Sequence, residues 1–169
     1  MNQLWAPWRL ELIQREAQGA ASTACIFCDF PAQEGLAADR QNLILGRSAH
    51  SFAILNRFPY NNGHLMVIPR RHTSDLAALP VAEADDLHRF LQRSVGILGG
   101  CYRPDGYNVG MNLGRVAGAG IADHLHYHVV PRWGGDTNFM PVLGETKVLI
   151  EQLTASWERL RAAFDGHSS

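Results

Sequence analysis

Three histidines, His124, His126 and His128, alternate with Leu125, Tyr127 and Val129 in the segment Asp123-His-Leu-His-Tyr-His-Val-Val-Pro-Arg132. In an extended chain alternate side chains share a face. The imidazoles therefore form one row within about 13 Å, while Leu125, Tyr127 and Val129 can anchor the other face on a core. A helix would scatter the rings around its axis, and Pro131 behind two valines disfavours one. As plain core such a row is costly, because each buried neutral imidazole needs both a donor and an acceptor partner. Two chemistries could use it. Imidazoles can ligate a catalytic zinc. Alternatively, one neutral imidazole attacks phosphorus while its neighbours orient it and bind phosphate. The glycine-rich stretch Asn112-Leu-Gly-Arg-Val-Ala-Gly118-Ala-Gly120 lies directly upstream and favours the second, since glycines let backbone N–H groups approach an anion.

Cys25-Ile-Phe-Cys28 is a second candidate, either half of a zinc site or a redox pair. A redox CxxC usually opens a helix in a βαβ unit. Here Asp29-Phe30-Pro31 and a stretch rich in Gly and Ala follow, which favours zinc. Cys101 falls at a predicted helix end and is expected to be core. Three cysteines cannot all pair within one chain. The opening MNQLWAPWRLEL lacks a basic region followed by an apolar core, so the expectation is no signal peptide and a cytoplasmic location.

These residues need a scaffold. Asn42–Gly46, Ser51–Asn56, His64–Pro69, Tyr107–Leu113 and Leu125–Pro131 read as short strands rich in branched apolar residues. Pro59, Asn61, Asn62 and Gly63 make a turn between the second and third. From Ala82, the apolar residues Leu87, Phe90, Leu91, Val95 and Leu98 recur at helical spacing, with Gly99-Gly100 as the expected stop. Leu149, Leu153, Trp157, Leu160 and Phe164 stripe a C-terminal helix over about residues 146–165. Residues 15–24 and 31–40 read as loops. The order of elements gives an α+β domain with a mainly antiparallel sheet flanked by helices. The 169 residues, 46% of them hydrophobic and 18% charged, suit one such domain without repeats or linkers, with residues 1–40 as an N-terminal extension. No apolar run approaches the roughly 20 residues of a membrane span. A formal net charge of −1 gives no general affinity for nucleic acid or anionic membrane.

The chain resembles the histidine triad (HIT) family, whose motif of three histidines alternating with apolar residues is matched by His124-Leu-His126-Tyr-His128-Val-Val. Further matches are Leu4-Trp-Ala-Pro-Trp-Arg9, Cys25-Ile-Phe-Cys28, Ser51-Phe-Ala-Ile-Leu-Asn56, Gly63-His64-Leu-Met-Val-Ile-Pro-Arg-Arg-His72 and Pro131-Arg-Trp-Gly-Gly-Asp136. The last, with Asn138-Phe-Met, is similar to the branch containing bacterial diadenosine tetraphosphate phosphorylases. The resemblance implies that His126 is the nucleophile toward the α-phosphorus and that His128 contacts the reacting phosphate and the leaving oxygen. His64 is implied to approach the triad from a neighbouring strand. It further implies that Asn56 binds the ribose hydroxyls, Asn112 and Gly118 bind phosphate, and Trp133 can stack on a base. Cys25, Cys28, His72 and His124 correspond to a Cys2His2 zinc shell of structural type, with His50 a weaker substitute ligand. A small antiparallel sheet with flanking helices, paired into a homodimer, is also implied.

One departure stands out. The phosphorylase branch typically has Gly-Ser where this chain has Ala119-Gly120, so no polar side chain is offered there to phosphate or an incoming acceptor. The leading expectation is an enzyme that cleaves dinucleoside polyphosphates through a nucleotidyl-histidine released to water or phosphate, with zinc and no organic cofactor. Two alternatives remain: a nucleotide-binding or signalling module with weak nucleoside phosphoramidase activity, and a zinc hydrolase using the triad as ligands.

Overall fold

The computed structural model describes residues 25–136 and 151–166. Two short helices open it, α1 (Ile26–Ala32) and α2 (Leu36–Asn42). Strands β1 (Ile44–Arg47), β2 (Ser51–Leu55) and β3 (Leu65–Pro69) follow, then the long helix α3 (Val81–Tyr102). Strand β4 (Gly106–Met111), a 3-10 turn (Arg115–Ala117), strand β5 (Tyr127–Arg132) and helix α4 (Leu153–Gly166) complete it. The strands form one antiparallel sheet in the order β1-β2-β3-β5-β4. No helix among the described residues is long and apolar enough to cross a membrane.

Helix α3 packs on β2, β3 and β5, and α4 packs on β1 and α3. The seat of α4 is tight. A Cβ on Gly46 would stand 2.7 Å from Phe164 Cδ1, and Trp157 Nε1 donates to the Ile44 carbonyl at 2.9 Å. Leu160 and Phe164 are buried as the helical stripe requires, with Leu153 partly so; Leu149 lies outside the described residues. Buried Asp39 on α2 ties α4 down as well, accepting from Arg47 at 2.6 and 2.9 Å and from Arg161 at 3.0 Å. Asp39→Ala would leave partly buried Arg47 without its anion and Arg161 with only the exposed Asp165. The expected loss is about 3 kcal/mol of stability, read from urea unfolding; a loss below about 1 kcal/mol would show that the cluster is only a solvated surface pair.

The structure corrects several sequence-based expectations. Residues 31–40, expected as a loop, are largely helical: Ala32 closes α1, and Leu36-Ala-Ala-Asp-Arg40 opens α2 after Gly35 at φ 100°. Alanine is a strong helix former, so a stretch of small residues is not by itself a loop. The Gly99-Gly100 pair does not stop α3, which runs on to Tyr102. Pro104 supplies the stop by disfavouring helical backbone in the residue before it, and Arg103 turns left-handed at φ 46°. Gly99 serves packing instead, since a Cβ there would lie 3.1 Å from the Tyr107 hydroxyl. Strand limits move by one or two residues. The largest effect is at β5, which starts at Tyr127 rather than Leu125. Its pairing with β3 covers only Leu65–Val67. Farther along β3, Pro69 has no N–H to donate, and the Leu125 N–H goes to the Thr73 carbonyl at 2.8 Å. His124 and His126 therefore lie in an extended lead-in, and only His128 is in the sheet.

Candidate active site and metal-ligand cluster

Register places the site. Ile54 on β2 opposes Met66 on β3, which opposes His128 on β5. These three side chains share one sheet face and line a pocket of about 330 Å³. Helix α1 walls it with Ile26, Phe27 and Phe30, and Leu43 and Ile121 make that end apolar. Asn56, Tyr60, Gly118, Gly120, His126 and His128 line the polar part. Among the described lining residues Arg57 alone carries a fixed charge and none is acidic, which suits an anionic ligand with one flat apolar moiety. Arg57 also donates to the Gln41 carbonyl at 3.2 Å.

Backbone partners settle the tautomers of the imidazoles. The Nδ1 of His126 lies 2.9 Å from the His124 carbonyl, which can only accept, so Nδ1 carries the proton and Nε2 the lone pair. Burial pushes the His126 pKa below its usual value, against an opposing pull from that carbonyl bond, so the ring is held neutral. A neutral imidazole with a bare nitrogen lining such a pocket can act as a nucleophile. At His64 the Tyr60 N–H donates to Nδ1 at 3.0 Å, leaving the proton of the neutral ring on Nε2. That N–H points to His128 Nδ1 at 3.0 Å. His128 in its neutral form then carries its own proton on Nε2. Asn56 Nδ2 is 3.4 Å from His64 Nε2, a contact between two donors rather than a bond. The amide is oriented by Oδ1, which accepts the Phe58 N–H at 2.9 Å.

The remaining triad member faces elsewhere. His124 Nε2 donates to the Pro69 carbonyl at 2.8 Å, so its bare Nδ1 points at Cys25 Sγ at 3.3 Å and Cys28 Sγ at 3.7 Å. His72 Nδ1 completes the group, 3.4 Å from Cys28 Sγ. All four donor atoms lie within 4.8 Å of one another, which makes a possible metal site. Burial and the neighbouring Cys25 push the Cys28 thiol up to about 11. The Cys28 thiol therefore ionises readily only when a cation sits beside it. Two thiolates and two imidazoles with no further donor form a closed tetrahedral set of the structural zinc type. Among the described residues the triad itself does not make a second such group.

A profile of the HIT domain matches residues 38–135. The chain belongs to the HIT family. Within the family it is 41% identical over 167 residues to the AP-4-A phosphorylase of Mycobacterium tuberculosis, covering 96% of this chain and 83% of that one. It is 30% identical over 109 residues to the adenosine 5'-monophosphoramidase hnt1 of Schizosaccharomyces pombe, covering 64% and 74%. A Zn-bound histidine triad family protein from Mycobacterium smegmatis has a similar structure, with a TM-score of 0.65 and 26% identity over 86% of this chain and 96% of that one.

Of the residues selected by HIT resemblance, the structure brings His126, His128 and Asn56 to the pocket, sets buried His64 against His128, and gathers Cys25, Cys28, His72 and His124 in the metal-ligand cluster. His50 is not among those ligands; its N–H bonds Asp86. Cys101 packs against the core. Gly118 lines the pocket, but its N–H goes to the Arg115 carbonyl at 2.9 Å and its carbonyl accepts from Asn112 Nδ2 at 3.4 Å. The N–H groups of Ala117 and Ala119 bond the Gly114 carbonyl. Asn112 thus braces the loop from behind. Trp133 does not line this pocket; its ring lies edge-on to Tyr102 at 6.5 Å. Sequence reasoning missed the α1 wall. Its signal was present in Ile26-Phe27 inside the CxxC, which a two-cysteine reading treats as spacers. His64→Ala would remove the donor that sets the His128 tautomer. Turnover of a nucleotide substrate should fall roughly 10²-fold in kcat with KM little changed; an equal fall in kcat and a loss of folding by circular dichroism would make His64 merely structural.

Proposed function

We propose that this HIT-family chain is a nucleotidyl-transfer enzyme that cleaves dinucleoside polyphosphates such as diadenosine tetraphosphate. The observation that carries this reading is the bare Nε2 of buried, neutral His126 in the pocket. The base lies against Ile26, Phe27 and Phe30, and Asn56 holds the ribose hydroxyls. His126 Nε2 attacks the α-phosphorus, and the bond from phosphorus to the bridging oxygen breaks as the new P–N bond forms. His128 Nε2–H donates to the departing oxygen, so the phosphate chain leaves stabilised. Water or phosphate then attacks the phosphoramidate and frees His126. Cys25, Cys28, His72 and His124 would hold zinc, which supplies no chemistry to the reacting atoms there and clamps the chain. This arrangement leaves His126 and His128 to the substrate, which argues against a zinc hydrolase built on the triad.

Product analysis tests the reading. ADP plus ATP formed only when phosphate is added would establish a phosphorylase, and AMP plus ATP without phosphate a hydrolase. No turnover of diadenosine tetraphosphate would overturn it. A second reading, a nucleotide-binding module with weak phosphoramidase activity, is favoured by one feature. Ala119-Gly120 offers no polar side chain, and the loop's own turn consumes the N–H groups of residues 117–119. Slow release of an already formed nucleotidyl-histidine would support it.

We further propose a cytoplasmic homodimer. The free thiols of Cys25, Cys28 and Cys101 suit a reducing compartment. The outer edge of β4, with Val109 46% exposed, suits pairing with a second copy. A monomeric mass by light scattering at micromolar concentration would contradict the dimer.

A further inference from the structure

Phe27 sits in sequence between two cysteines of the metal cluster and in space between that cluster and the nucleophile. It is 1% exposed. Its ring stands edge-on to His124, 5.6 Å between centroids at 87°, and lies 5.3 Å from the His126 ring. It also walls the pocket. The helix that carries it has little stability of its own: α1 spans seven residues, contains Pro31 and has no side-chain N-cap bond. Its first turn closes on the Cys25 carbonyl, which accepts from the Cys28 and Asp29 N–H groups. The metal loop and the first turn of the pocket wall are therefore the same piece of backbone. On the other side, His124 offers its ring to the cluster and its carbonyl to His126 Nδ1. Two paths thus run from the four donors to the pocket, and Phe27 touches both.

We infer that Phe27 is a positioning residue coupling the metal cluster to the nucleotide pocket, so that a bound metal and a bound nucleotide strengthen each other. This rests on the proposed nucleotide site and on metal binding by the four donors. Ordering α1 for one ligand leaves less ordering to be done for the other. Linkage requires the effect to be reciprocal: if zinc tightens AMP by some factor, AMP tightens zinc by the same factor.

The test measures zinc affinity of the full-length protein by chelator competition, with and without saturating AMP, and AMP affinity by calorimetry with and without zinc. The expected result is a shift of about tenfold in each direction. In Phe27→Leu, zinc binding without AMP should stay within about threefold of wild type, because no ligand is lost, while the mutual shift falls to about twofold or less. Circular dichroism and the melting temperature of each form confirm that the variant is folded. Phe27→Met, which retains bulk, supplies the comparison if leucine proves unstable, with the same loss of mutual shift expected. Zinc and AMP that both bind with affinities independent of each other in the wild type would overturn the coupling. A retained tenfold shift in the folded Phe27 variants would overturn the role of Phe27. Absence of zinc binding, or of AMP binding, would instead sink the underlying site readings.

Discussion

Replacing His126 by alanine should reduce turnover of diadenosine tetraphosphate by about 10⁴-fold or more, the scale seen when a covalent nucleophile is deleted. AMP affinity should stay within about threefold, because most of the binding surface is contributed by other groups. The two halves belong together. His126 contributes its Nε2 to the reaction, whereas the apolar wall of Ile26, Phe27 and Phe30 and the amide of Asn56 remain in place. Its other nitrogen is already committed to the His124 carbonyl, so the substitution breaks one internal hydrogen bond at an estimated cost of about 1 kcal/mol. A fall of only tenfold in kcat would mean that water attacks the substrate directly, and that the row of imidazoles serves as a phosphate-binding surface.

Removal of the metal should be the larger effect on stability. For a ligand present at about 1,000 times its Kd, binding to the native state alone contributes about 4 kcal/mol. For a domain of this size that corresponds to roughly 8–16 °C in melting temperature. Treatment with a strong chelator should lower the Tm by that amount, and zinc should restore it. Cys28→Ser should melt near the chelated wild type and fail to respond to zinc. The core over the opposite sheet face, built from Ala53, Leu65, Val67 and Val129, does not involve the four donors. The metal-free protein should therefore still fold and show a cooperative transition. A chelator-insensitive Tm, with no zinc in the purified protein by elemental analysis, would reduce the cluster to a pair of thiols beside two imidazoles.

The site was more legible in the sequence than its frame. Alternation put His124, His126 and His128 in one row; His126 and His128 do share the pocket, whereas the His124 ring turns to the thiols of Cys25 and Cys28. Resemblance to HIT proteins singled out His64, Asn56 and the four metal donors, and the fold brings the four donors together. Period-2 alternation and ligand spacing are local properties that survive without knowledge of the tertiary structure. What could not be read depends on contacts between distant segments. Residues 31–40 looked like loop because alanine is both small and helix-forming, and packing on β1 decides between the two. Gly99 looked like a helix stop, although its role is to admit the Tyr107 hydroxyl. The start of β5 depends on where Pro69 ends the neighbouring ladder, a fact that belongs to another strand. The glycine-rich loop was read as a phosphate cradle, yet its turn uses three N–H groups on itself. The tautomers were invisible for the same reason, since the carbonyl that fixes His126 and the N–H that fixes His64 are placed only by the fold.

The most direct measurement is to mix enzyme with radiolabelled diadenosine tetraphosphate, quench within milliseconds in base, and map any labelled peptide by mass spectrometry. A phosphoramidate is stable in base and labile in acid. The account predicts a nucleotidyl group on His126, formed at least as fast as products appear and absent from His126→Ala. Product formation at full rate with no label on the protein, or label carried by His124 or His128 instead, would contradict it.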